Sequence, residues 1–187
     1  MADAPTDVDI KPDLTDDAVL VTGATRGIGA EVAAALADLG ATVYAGARDP
    51  DDVTAADQRA VRLDVTDDEE VRAAVDRIEQ EAGSLDVLVN NAGVFPRSGP
   101  LHEMDVADFD RTTAVNLRGP VVLTKHALPL LLDGTGGRVV SLSSGLGQFT
   151  EGQMGGGYPA YRLSKVGVGG LTAYLDGEYG DRGLIAN

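Results

Sequence analysis

No cysteine occurs anywhere in the chain, so disulfides, thiolate metal sites and cysteine nucleophiles are excluded. Lysine is nearly absent as well. Only three of the fifteen basic residues are lysines, and they stand against thirty acids, for a net charge of −15. A nucleic-acid binder carries the opposite bias. The two histidines, His102 and His126, lie 24 positions apart with no ligand pattern around them and read as surface or packing residues. The first 17 residues are acidic and lack the apolar centre of a secretory signal. No apolar run approaches the length of a membrane span. The expectation is a cytoplasmic protein with no metal and no nucleic-acid or membrane partner.

What is present suits one domain. A chain of 187 residues, 43% hydrophobic, can bury a full core. Its organising stretch is Val19-Leu20-Val21-Thr22-Gly23-Ala24-Thr25-Arg26-Gly27-Ile28-Gly29. The run Ala18–Val21 is short, apolar and partly β-branched, as in a strand covered on both faces. Gly23, Gly27 and Gly29 make a permissive turn. Ile28, Val32, Ala35, Leu36 and Leu39 then recur at helical spacing. A helix N-terminus reached through glycines presents unpaired N–H groups and a positive dipole end, which suits a pyrophosphate. Such a turn also serves plain close packing, so the remainder of the chain has to decide.

Residues 1–17 read as an acidic arm. Ala41–Ala47 reads as a second strand and Asp49–Asp52 as a turn and helix start. Ala60–Leu63 is a third strand, and Thr66–Glu70 is a strong helix N-terminus followed by the stripe Val71, Ala74, Val75 and Ile78. Leu85–Val89 is a fourth strand. Val106–Leu132 is mostly helical, with Gly119-Pro120 as the expected interruption. Arg138–Leu142 is a fifth strand, Tyr158–Tyr179 a helix, and Gly183–Ala186 the start of a sixth strand. Strands alternating with helices, without hairpin signals, imply a Rossmann-type doubly wound parallel sheet in three layers, a single α/β domain over 18–187. Ligands of such sheets sit at the carboxyl ends of the strands.

Several motifs fall at those ends. The turn Thr22–Gly29 follows strand one, Arg48 strand two, Asp64-Val65 strand three, Asn90-Asn91-Ala92-Gly93 strand four and Ser143-Ser144 strand five. Tyr161 and Lys165 lie four apart on the following helix, hence on one face. A free tyrosine ionises near pH ~10, and a neighbouring ammonium favours the phenolate, which brings such a group toward acid–base work. The alternative is an exposed aromatic beside a solvated lysine. The combination TGxxxGxG, NNAG and YxxxK resembles the short-chain dehydrogenase/reductase family, over nearly the whole chain from about Ala18. The glycine spacing matches its simple oxidoreductases and not its sugar-nucleotide epimerases.

The resemblance implies roles. Tyr161 is the general acid toward a carbonyl oxygen, Lys165 activates it and holds the nicotinamide ribose, and Ser144 hydrogen-bonds the substrate carbonyl, with Ser143 as competitor. Asn116 matches the helix asparagine that places a water and Lys165 in a proton relay; a structural amide is the alternative. Thr22, Gly23, Thr25, Arg26, Gly27, Ile28 and Gly29 take the cofactor phosphates and ribose. Asn91, Ala92 and Gly93 line the cofactor. Asp64 and the Val65 backbone face the adenine, unless Asp64 is simply a helix cap. An NAD site usually offers a carboxylate near the end of strand two. Ala47 stands about there, Arg48 comes next and Arg26 lies in the turn, so two guanidiniums favour NADP(H).

Two departures matter. The loop from Ser144 to Tyr161 is long and carries Gly147, Gly152, Gly155, Gly156 and Gly157, which resembles carbonyl-reductase-like members. It either shapes the substrate mouth or is a surface loop. The chain also stops at Asn187, inside the expected sixth strand, as though it were part of a longer protein. The function expected is an NADPH-dependent carbonyl reductase acting on a small carbonyl or alcohol. The rivals are an NADP(H)-binding sensor with a degraded substrate side and a structural partner subunit. A homo-oligomer, dimer or tetramer, is compatible with the sequence, as is a monomer.

The acid excess is spread along the chain and resembles surfaces adapted to high salt, where screening removes self-repulsion. The melting temperature should therefore rise as salt increases from low to molar concentration. A fall over that range would contradict the salt-adapted reading.

Overall fold

A computed structural model of the chain describes residues 13–96, 98–134, 136–149 and 154–187. Most of the expected acidic arm and Gly152 lie outside the described residues.

Six parallel strands form one sheet: β1 (Ala18–Thr22), β2 (Thr42–Ala47), β3 (Arg59–Arg62), β4 (Val87–Asn90), β5 (Arg138–Ser141) and β6 (Ile185–Ala186). Their order is β3-β2-β1-β4-β5-β6. Along β1 the side chains alternate between faces, as strand geometry requires. Ala18 and Leu20 join one core with Leu88 and Val139, whereas Val19 and Val21 join another with Val43, Ala45 and Val89. Helix α1 (Gly27–Asp38) covers the second face through Ala33, Val32 and Leu36. Helices α2 (Asp68–Ala82), α4 (Gly119–Asp133) and α5 (Pro159–Tyr179) fill the first with Ile78, Leu123, Leu131 and Leu175. The result is the three-layer, doubly wound α/β domain expected.

Helix α2 forms where its sequence says it should. The Asp67 carboxylate caps it by accepting from the N–H groups of Glu69 and Glu70, and Val71, Ala74, Val75 and Ile78 are its buried residues. Asp64 is therefore not the cap. Its carboxylate folds back onto the N–H and hydroxyl of Thr66.

Other local expectations need correction. In α1, Ile28, Ala35 and Leu39 are exposed, because the helix starts at an open turn and presents Gly29 and Ala33 to the sheet instead. Between β2 and β3 there is only a short 3₁₀ turn, Pro50–Asp52, with no α-helix. Gly119-Pro120 does not interrupt the long helical stretch. That stretch runs from α3 (Val106–Thr113) through a π-helical segment (Ala114–Arg118) directly into α4. The wider π turn accommodates Pro120, whose ring would crowd the Asn116 carbonyl in a regular helix. Gly119 is there for closeness, since a Cβ on it would lie 2.8 Å from Val65 Cγ2. Helix α5 begins at Pro159, one residue later than its periodicity suggests. Tyr158 before it is left-handed (φ 54°), the only non-glycine in that region among the described residues.

Strand order reverses between β1 and β4, and this is where the fold opens a crevice. The two strand ends are tied together there. The Thr22 hydroxyl donates to the Val89 carbonyl and accepts from the N–H groups of Asn91 and Ala92. The Asn91 amide donates to the carbonyls of Thr22 and Gly23. Gly29 packs on this knot: a Cβ would stand 2.3 Å from the Gly23 carbonyl oxygen and 2.4 Å from Asn91 Nδ2. Gly27, by contrast, has φ 57° and open space around its missing side chain. Gly29→Ala should thus cost about 3 kcal/mol in urea unfolding by overpacking, and Gly27→Ala only about 1–2 kcal/mol through its dihedral. Equal losses in the two variants would contradict the assignment of Gly29 to packing.

Candidate active site

The strands are parallel, so every strand-end motif opens on one edge of the sheet. At β1 the turn leaves Arg26, Gly27 and Ile28 exposed and Thr25 half-buried, and Arg26 occupies the N-cap position of α1 without a side-chain cap bond. The first N–H groups of α1 thus face an open hollow beside Gly27, a cradle that a Cβ there would partly fill. This geometry fits a pyrophosphate. Gly23, Gly29, Asn91 and Ala92 form the floor, through the bonds just described. Gly93 lies next to Asn116, whose Oδ1 would be 3.4 Å from a Cβ on that glycine.

Arg48 is exposed directly after β2. The first carboxylate beyond it, Asp49, is turned to its own chain and accepts from the Asp51 N–H at 3.2 Å. Asp64 follows β3. Partial burial raises its pKa, but the Thr66 hydroxyl and N–H and the nearby Arg48 charge outweigh this and hold the carboxyl below the usual aspartate value. Arg48 and Asp64 therefore share one corner of the crevice. Arg26 has no described contact with either.

On the other side of the crevice, α5 buries Ala160, Ser164, Lys165, Val168 and Leu175 at helical spacing. Lys165 is thereby carried inward. It is 7% exposed and the only charged side chain buried among the described residues. Its ammonium donates to the Leu142 carbonyl just beyond β5 and lies 5.6 Å from the centre of the Tyr161 ring. Burial pulls its pKa below the ordinary lysine value. Tyr161 is half-buried, and its ring meets Phe95 edge-on at 4.5 Å between centroids. Phe95 in turn stacks on Tyr158 at 5.0 Å.

Ser144 follows β5 and caps a 3₁₀ turn, Gly145–Gly147, accepting from the Leu146 N–H at 3.2 Å. With one lone pair so engaged, its hydroxyl hydrogen is left for an outside acceptor. Asn116 sits in the π segment and is 1% exposed. Its Oδ1 accepts from the Val94 N–H at 2.8 Å, and its Nδ2 donates to the Val94 carbonyl at 2.9 Å and to Ser164 Oγ at 3.2 Å. The amide locks the segment after β4 to the helices and adjoins α5 one residue before Lys165. π segments of this kind concentrate at functional sites.

A model described as short chain dehydrogenase matches residues 17–187. The chain belongs to this family. It is 42% identical over 176 residues to cis-4-hydroxycyclohexanecarboxylate dehydrogenase of Sinomonas cyclohexanicum, covering 90% of this chain and 69% of that protein. It is 36% identical over 189 residues to D-threitol dehydrogenase of Mycolicibacterium smegmatis, covering 96% and 71%. The ligand-free structure of Thermoplasma acidophilum aldohexose dehydrogenase superposes with a TM-score of 0.85 at 33% identity, over 94% of this chain and 66% of that one. The chain thus spans about two thirds of the length of these dehydrogenases. Membership brings a nicotinamide cofactor, and the open glycine cradle fits one.

Sequence reasoning missed three participants: the Leu142 carbonyl and the aromatic pair Phe95 and Tyr158. The first is a backbone atom and leaves no mark in a sequence. The helix start at Pro159 had a signal, because proline is favoured at the first helical position and biases the residue before it away from the helix.

Proposed function

We propose that this chain carries the cofactor site and the proton-transfer machinery of an NADP(H)-dependent oxidoreductase that interconverts a secondary alcohol and its ketone, in the cytoplasm. The domain concerned is the stretch from Ala18 onward, and its substrate is a small molecule. One observation carries the reading: the buried ammonium of Lys165, the only buried charge among the described residues, lies against the ring of Tyr161 at the edge of the crevice where the sheet opens.

A bound nicotinamide supplies the hydride that reaches the carbonyl carbon. Tyr161 gives its hydroxyl proton to the carbonyl oxygen as negative charge develops there, and takes it back in the oxidation direction. Ser144 donates a hydrogen bond to the same oxygen, its own lone pair being engaged by the Leu146 N–H. Lys165 supplies positive charge beside Tyr161 and would hold the nicotinamide ribose of a bound cofactor. Asn116 keeps the π segment and Ser164 in register with Lys165.

Arg26, inside the glycine turn, and Arg48, after β2, support the choice of phosphorylated cofactor. Both are exposed at the crevice, and Asp49 is occupied with its own backbone. Guanidiniums bind a 2′-phosphate that a carboxylate would repel. Thr22, Gly23, Thr25, Gly27, Ile28 and Gly29 take the pyrophosphate side. Asp64, Val65, Asn91, Ala92 and Gly93 take the adenine and ribose side. The dehydrogenases of similar sequence are named for hydroxylated rings, polyols and sugars, and secondary alcohols of these kinds define the substrate panel.

Steady-state kinetics of the whole protein with cis-4-hydroxycyclohexanecarboxylate, D-threitol and aldohexoses tests this. NADP⁺ should exceed NAD⁺ in kcat/KM by at least about tenfold, which corresponds to ~1.4 kcal/mol. Arg48→Asp should reverse that order. Equal or better use of NAD⁺ by the unaltered protein would overturn the cofactor assignment.

A further inference from the structure

The geometry points to Arg162 as a positioning residue that holds the Ser144 turn in register with Tyr161. The inference rests on the reading of Ser144 and Tyr161 given above.

Arg162 follows Tyr161 on α5. Helical side chains lean back toward the N-terminus, so this one reaches the chain that precedes the helix. It directs its donors to three backbone carbonyls and is half-buried in doing so. Nε donates to the Gly157 carbonyl at 2.8 Å, Nη2 to Gly156 at 3.0 Å and Nη1 to Leu146 at 3.1 Å. Gly156 and Gly157 lead into Tyr158 and the helix. Leu146 belongs to the 3₁₀ turn that follows Ser144. One guanidinium therefore ties together the two described ends of the long glycine-rich loop.

The link continues to the chemistry. Leu146, whose carbonyl Arg162 holds, offers its N–H to Ser144 Oγ. The same turn is pressed on α5 from its other end: a Cβ on Gly147 would lie 2.7 Å from Lys165 Cβ and 2.9 Å from the Lys165 carbonyl carbon. Ser144 is thus referenced to α5 at two points, Arg162 and Lys165, one and four residues beyond Tyr161 on the same helix. The relative placement of the two hydroxyls that would meet one substrate oxygen is set through this clasp. A guanidinium suits the task because its planar fork serves acceptors in several fixed directions, which an ammonium cannot do at the same positions.

The test uses the whole protein and three forms of it: unaltered, Arg162→Ala and Arg162→Lys. Hydrogen–deuterium exchange at the Leu146 and Gly147 amides should be at least about tenfold faster in Arg162→Ala, because the Leu146 N–H bond to Ser144 Oγ and the Gly147 N–H bond to the Ser144 carbonyl lose their support. With the substrate panel, kcat should fall on the order of ten- to hundredfold, since small misplacement of reacting groups is expensive. The Kd for NADPH, read by fluorescence titration, should stay within about twofold because the phosphate cradle lies on β1 and α1. Arg162→Lys should recover only part of kcat. Unchanged exchange at Leu146 and Gly147, or an unchanged kcat, overturns the assignment. Failure of the unaltered protein to turn over any alcohol of the panel would count against the oxidoreductase reading, while the exchange measurement would still decide whether the clasp exists.

Discussion

The Lys165 ammonium sits inside an interior that otherwise contains no charge among the described residues, and a neighbouring backbone carbonyl, that of Leu142, accepts from it. Burying a cation this way is costly unless its donors find partners. Much of the surrounding architecture supplies the conditions. Helix α5 must lie close to the end of β5 so that Lys165 reaches Leu142, and Gly147 permits that approach. Ser164, one residue earlier, meets Asn116, and Asn116 closes on both backbone groups of Val94. The ends of β4 and β5, the π segment and α5 are thereby joined around one positive charge.

The knot beneath the opposite wall of the crevice is built without charge. Thr22 and Asn91 knit the ends of β1 and β4 through five hydrogen bonds, and Gly29 lets α1 settle on that knot. What this leaves open is the N-terminus of α1 and the space beside Gly27. The two walls differ in what they present: one has backbone donors and a dipole end, which suit an anion, and the other has a cation, a phenol and a serine hydroxyl.

Much of this was legible in the sequence because it depends on local pattern. The alternating burial of β1, the stripe of α2 and its acidic start follow from periodicity and capping. The placing of Tyr161 and Lys165 on one face follows from helical geometry. Where sequence reasoning fell short, the deciding contacts come from elsewhere in the fold. Gly119-Pro120 carries every local sign of a break, yet the helix continues because Val65 packs against Gly119 and a π turn absorbs the proline. Ile28 has the spacing of a core residue but stands at an open turn. Asp64 resembled a helix cap, and Asp67, three residues on, does that job. Arg162 carries no local sign of its three backbone acceptors, which the fold brings from Leu146, Gly156 and Gly157.

The central claim is that Tyr161 moves the proton while the glycine turn holds the cofactor. Measuring both in the single variant Tyr161→Phe tests it most directly. Loss of one hydroxyl should reduce ketone turnover by at least about hundredfold, the scale of general acid catalysis, and should leave NADPH bound with a Kd near that of the unaltered protein. Turnover close to the unaltered rate in Tyr161→Phe would contradict the account.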